Sequence, residues 1–206
     1  MNLKESIRRI LKEETQGLDV FINEIKSKHK ISDELSDAIK NFIVQSGCNK
    51  IEFSNFKIGA MGVALHDFVL INKVVLQQKL ELLLFIIFHE VAHQYQFKKY
   101  GKDIMYDCYL GEVNDEEAAE FMKKTEMVAD EFATRKIREL QKKDLIDKNF
   151  IPPSVYKNAP ITQIITLIKN IRLQIKQQKI TTPEKVSEFF YNMVKAKEGI
   201  FRFFGF

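Results

Sequence analysis

Three side chains in one five-residue stretch are spaced for metal chemistry: His89, Glu90 and His93 of His-Glu-Val-Ala-His. Residues four apart on an α-helix share a face, so the two imidazoles can aim at one ion. Zinc accepts neutral imidazole nitrogen, and two ligands on one rigid helix lose little entropy on binding it. Glu90 stands roughly 100° further round the helix. From there its carboxylate reaches a water held by the ion rather than the ion itself. Zinc lowers the pKa of such a water to about 7, and a carboxylate beside it can take the proton and deliver it to a leaving amine. Phe88, Val91, Ala92 and Gln94 around these residues are uncharged, as a buried site helix requires.

A catalytic zinc takes three protein ligands and leaves a position for water. No histidine follows His93, and His29 and His66 lie upstream, so the third ligand is expected to be a carboxylate on a later element. The stretch Thr125 to Ala133 offers Glu126 and Asp130, again four apart. Glu126 can ligate while Asp130 orients a ligand histidine, fixing its tautomer and raising its basicity. Ala129 and Ala133 are small enough to let two helices approach closely. Glu120, Glu131 and Asp107 compete for the ligand role.

His89-Glu90-x-x-His93 followed by Glu126-x-x-x-Asp130 resembles the gluzincin metallopeptidases. The Glu-x-x-Ala-Asp-x-Phe-Ala form is similar to soluble relatives of the CAAX-endopeptidase group and to compact ImmA/IrrE-type peptidases. The resemblance covers roughly residues 60 to 135. It implies zinc as cofactor, Glu126 as third ligand and Asp130 as partner of the first histidine. It also implies an edge strand, to which a protein or peptide substrate adds antiparallel. Gly59 to Leu65 stands where that strand belongs. The chain departs from the resemblance in lacking the membrane helices of the CAAX-type enzymes. It has Asp130 where ImmA/IrrE-type chains often carry Asn, and it has no downstream histidine to hold an oxyanion. Tyr106, Tyr109, Tyr156 and Tyr191 are the candidates for that last task.

The elements that must position these groups follow from periodicity. Helical spacing runs through residues 1 to 27, with a break at Gly17, and through 32 to 46, where Leu35, Ile39, Phe42 and Ile43 share a face. From Lys50 to Val75 the pattern changes to short strands, with His66-Asp67 at a hairpin tip. The helical period returns at Leu76, and Leu82 to Phe88 is apolar on almost every side, which makes this helix central. Gly101 stops it. Residues 102 to 113 read as a loop. Asn114 caps the next helix, with acidic residues in its first turn and Lys136, Arg138, Lys142 and Lys143 at its end. Pro152-Pro153 closes that section, and amphipathic helices follow near 161–178 and 183–199. The fold class expected is α+β, a helix-rich zincin-like domain with a small mixed β-sheet before the active-site helix. One domain spans 1–206, with N-terminal helices over 1–46, sheet and zinc-binding core over 47–143, and C-terminal helices over 150–206.

The remaining features narrow the class of function. The low count of turn formers, 8 Gly and 4 Pro in 206 residues, disfavours an all-β sandwich. A net charge of +4, spread along the chain, gives no clear nucleic-acid site. The basic stretch from Lys169 to Lys179 reads as the outer face of a helix with Ile164, Ile165, Leu167, Ile168, Ile171 and Ile175 inside. Cys48 and Cys108 lack metal spacing and read as reduced, partly buried thiols. No signal core or membrane span is visible, so a cytoplasmic location is expected. The Phe-rich end, residues 200–206, is expected to pack on the core. The leading expectation is a zinc-dependent endopeptidase with Glu90 as general base. The alternatives are a zinc-containing regulatory or protein-binding module with little turnover, and a protease acting on DNA-bound proteins.

Overall fold

A computed structural model describes residues 17–48, 50–56, 59–66, 68–154 and 156–195. The fold class is α+β, helix-rich, with one small mixed sheet ahead of the central helix. Helix α1 covers residues 17–29 and buries Phe21, Ile22 and Ile25. Its N-terminal continuation, the break expected at Gly17 and the Phe-rich end fall at or beyond the limits of the described residues. Helix α2, Asp33–Ser46, starts where the Ser32 hydroxyl accepts the Leu35 N–H at 3.1 Å. It stops at Gly47, whose φ of 80° is the left-handed conformation that suits glycine.

Three strands follow: β1 (Ile51–Ser54), β2 (Gly62–Leu65) and β3 (Phe68–Asn72). The order is β1-β3-β2, with β3 parallel to β1 and antiparallel to β2. The β2–β3 hairpin turns at His66, as expected, and residue 67 of the expected tip lies outside the described residues. Strand β2 is therefore a sheet edge. The Asn72 side chain accepts the Val74 N–H and donates to the Ala60 carbonyl, which locks the end of β3 to the approach of β2. A single 3₁₀ turn, Lys73–Gln77, then leads into the central helix α3, Leu80–Tyr100.

Helix α3 is buried on nearly all sides because it runs through two apolar cores. The first joins α1, α2, β1 and β3 to α3 from Leu83 to Val91. It also takes in Ala133, Ile137 and Leu140 from the latter half of helix α5, Asp115–Lys142. The second core joins Phe97 of α3 to Ala118, Ala119 and Met122 in the first half of α5. Helices α4 (Lys102–Leu110), α6 (Ile161–Gln177) and α7 (Pro183–Lys195) complete it. Ala129 and Ala133 are fully buried where α5 packs on α3.

One expectation is corrected. Residues 102 to 113 contain helix α4 rather than a loop. Met105 and Cys108, three apart, face the second core together with Tyr106. Gly101 and Gly111, both at positive φ, bracket a segment of only nine residues, too short for its period to stand out. Asn114 caps α5 as expected, accepting the Glu117 N–H at 2.8 Å. Within the basic stretch, Arg172 is structural. Its guanidinium donates to the carbonyls of Cys108 and Val113 and pairs with Asp115, tying α6 to the α4–α5 junction.

Ile87 is fully buried in the first core, on the face of α3 that supports the helix. Ile87→Ala is expected to destabilise the fold by about 2–5 kcal/mol. In urea unfolding this reads as a lower midpoint at unchanged slope.

Candidate metal centre

The two cores leave a seam between them, and the polar residues of α3 and α5 meet in it. Each helix contributes a pair four residues apart: His89 and His93 from α3, Glu126 and Asp130 from α5. His89, His93 and Asp130 are all less than a tenth exposed. The His89 Nε2 and His93 Nε2 atoms stand 3.3 Å apart. Glu126 Oε2 is 3.0 Å from the first and 3.6 Å from the second. Ligands held about 2.0–2.1 Å from one ion at tetrahedral angles are separated by about 3.3–3.4 Å. The three donor atoms thus enclose a point that could hold a metal ion, and no other such group occurs among the described residues. Of the competing ligands, Glu120 and Glu131 are exposed, and Asp107 lies outside the triad.

Both histidines are oriented from behind. His89 Nδ1–H donates to Asp130 Oδ1 at 2.9 Å, which turns Nε2 toward the triad. Asp130 in turn accepts the backbone N–H of Tyr156 at 3.5 Å. His93 Nδ1 lies 2.8 Å from Gln96 Oε1. The Gln96 amide nitrogen donates to the Thr125 carbonyl at 2.8 Å, so its oxygen must be the acceptor for His93. Gln96 thereby fixes the tautomer that frees His93 Nε2. The sequence reading missed Gln96. Its signal, an amide three residues beyond the second histidine, becomes meaningful only when α5 supplies the carbonyl that orients it.

The local electrostatics favour positive charge at the centre of the triad. Burial alone would lower the pKa of His89, yet hydrogen bonds to Asp130 and Glu126 raise it to about 10. His93 is also raised against its burial, chiefly by Glu126. Burial pushes Glu126 up, but the two imidazoles hold it well below the usual carboxylate range. A divalent cation answers the same field that draws a proton onto His89, and its binding would displace that proton.

Glu90 points elsewhere, to the sheet edge. A Cβ built on Gly62 would come within 2.4 Å of Glu90 Cγ and 2.6 Å of its Oε1. Only glycine at 62 leaves room for the carboxylate. Glu90 also accepts the backbone N–H of Ala64. Burial raises its pKa, opposed by His89 and His93, so it holds a proton more readily than a solvated glutamate. Gln94 donates to the carbonyls of Leu65 and Phe68, which fastens the hairpin to α3 next to the site.

The four tyrosine candidates separate in space. The Tyr106 hydroxyl accepts the His66 N–H at 3.2 Å, and Tyr191 packs edge-on against Phe68 away from the site. Tyr156 stacks over His89 with ring centroids 6.1 Å apart, and its hydroxyl bonds to Glu126. Burial raises the pKa of Tyr156, and Glu126 and Glu90 raise it further. Its phenol stays protonated and able to donate. Tyr109 is partly buried near Glu126, and desolvation likewise raises it.

Glu126→Ala is expected to abolish stoichiometric zinc binding. Gln96→Leu should keep the site but weaken zinc affinity by about 10- to 100-fold, measured by competition against a chelator of known affinity. Compared with known proteins, this chain matches no family model, no curated protein and no solved structure. The case for the metal centre is made by its own residues.

Proposed function

We propose that this protein is a zinc-dependent endopeptidase. One observation carries the reading: Glu90 lies between three side chains that could hold a metal ion and a sheet edge that pairs with no further strand among the described residues. A chain that needed only ligands would have no use for a buried carboxylate at that place. His89, His93 and Glu126 would hold the ion. Zinc bound there would supply a Lewis acid for the scissile carbonyl and lower the pKa of a water.

The protein's own groups do the rest. Met61 and Asn72 form a hydrogen-bonded pair across the hairpin, since Asn72 N–H donates to the Met61 carbonyl at 2.8 Å. Antiparallel pairs alternate, so Gly62 and Ala64 turn their backbone groups outward from β3. The Ala64 N–H takes Glu90. The Gly62 N–H and C=O and the Ala64 C=O remain for a peptide laid antiparallel along the edge, which gives affinity with little demand on sequence. Glu90 takes a proton from the attacking water as its oxygen adds to the carbonyl carbon. It returns that proton to the nitrogen as the C–N bond breaks. Tyr156, protonated and beside Glu126, is the group best placed to donate to the developing oxyanion.

Cys48 and Cys108 are free and buried, and burial pushes both thiols up to about 12. Such inert thiols fit a reducing compartment, the cytoplasm in this proposal. Among the described residues no helix is long and apolar enough to cross a membrane.

Glu90→Gln is expected to retain one zinc per chain and lose peptide hydrolysis by about 10²- to 10⁴-fold. Gly62→Ala should also retain zinc and lower the rate, because its methyl group displaces the Glu90 carboxylate. Hydrolysis of a quenched fluorescent peptide library, beside metal analysis of the same preparations, checks both. Full activity of zinc-loaded Glu90→Gln would falsify the mechanism. Zinc binding with no hydrolysis of any peptide would leave a zinc-containing binding module.

A further inference from the structure

A cavity of about 540 Å³ opens from the metal centre into the second core. We propose that it receives a large apolar side chain of the bound peptide, on the amino side of the scissile bond. This rests on the peptidase reading and names the substrate class for the same site.

The chemistry of the walls selects the occupant. Beyond the metal centre the cavity is bounded by Met105 and Tyr109 of α4, Phe121 of α5, Leu167 of α6 and Phe190 of α7. Its carboxylates and imidazoles, Glu90, Glu126, Asp130, His89 and His93, all belong to the metal centre itself. A charged side chain entering the far end would find no opposite charge to offset its desolvation. An apolar one would leave water for carbon surroundings. Size agrees: an apolar cavity of about 150 Å³ already holds one benzene. Even with the cleft over Glu90 taking part of the volume, a Phe, Leu or Met side chain has room.

Direction follows from how β2 lies on α3. Gly62 and Ala64 sit against Glu90, while the Leu65 carbonyl accepts Gln94, one helical turn further on. Strand and helix therefore advance the same way. Leu82, Phe85 and Ile86 line the cavity on the near side of His89, and Phe97, a further turn along α3, lines it within the second core beside Met105 and Phe121. The second-core arm of the cavity thus lies toward the C-terminal end of β2, and that arm is the proposed side-chain pocket. A peptide antiparallel to β2 has its amino side there.

The test separates binding from turnover. Full-length, zinc-loaded Glu90→Gln protein is titrated calorimetrically with two blocked octapeptides that differ by one residue, Phe against Ala. The Phe peptide is expected to bind about 10- to 100-fold more tightly, the worth of burying one such side chain. Met122→Trp and, on a separate helix, Met193→Trp in the same background narrow the cavity, which both residues line. Each should weaken the preference while leaving affinity for the Ala peptide unchanged. Wild-type protein should cut the Phe peptide at the bond following Phe. Equal affinities, binding of neither peptide, or cleavage before Phe overturns the proposal. Selective binding of the Phe peptide that both narrowing variants weaken, without hydrolysis by wild type, supports the cavity assignment and counts against the peptidase reading alone.

Discussion

The structure turns on a buried network of carboxylates and imidazoles that joins α3 to α5. Asp130 and Glu126 reach across from α5 to the two nitrogens of His89, and Glu126 also faces His93. In the interior such groups are costly unless each is matched. Matching them requires the helices to sit at one axial and rotational setting, and the fully buried Ala129 permits the close approach. The two apolar cores lie on either side of this point, so packing above and below holds the helices where the polar groups need them. Breaking a single member would strand the others in a low-dielectric seam.

The second dependence runs from helix to sheet. Glu90 and Gln94, four apart and next to the histidines, bind the hairpin through backbone groups of Ala64, Leu65 and Phe68. The same helix that presents the ligands therefore also sets the position of the sheet edge. Glycine at 62 is the steric condition for that arrangement, since any side chain there would occupy the space of the Glu90 carboxylate. The sheet edge, the Glu90 carboxylate and the His89–His93–Glu126 cluster are thereby held against one another by α3 and its contacts.

Much of this was legible in the residues. The histidines, the glutamate between them and the second acidic pair announce themselves through helical spacing, which depends only on local geometry. The all-round apolar run of α3, the cap at Asn114 and the stop at Gly101 are local signals of the same kind. Helix α4 escaped because nine residues between two glycines carry too little period. Gln96, Gly62 and the order of the four tyrosines escaped for another reason. Each acquires its role from a partner distant in sequence: Thr125 for Gln96, Glu90 for Gly62, Glu126 and His89 for Tyr156.

The sequence by itself determined which residues were chemically equipped and which of them shared a helix face, because a helix repeats every 3.6 residues whatever surrounds it. It left open which carboxylate would meet the histidines, with Glu120, Glu131 and Asp107 in competition. Only the tertiary structure decided that choice. Donor atoms from separate helices come within 3.6 Å of one another only at one packing of α3 on α5, and that packing is set by two cores assembled from the whole chain.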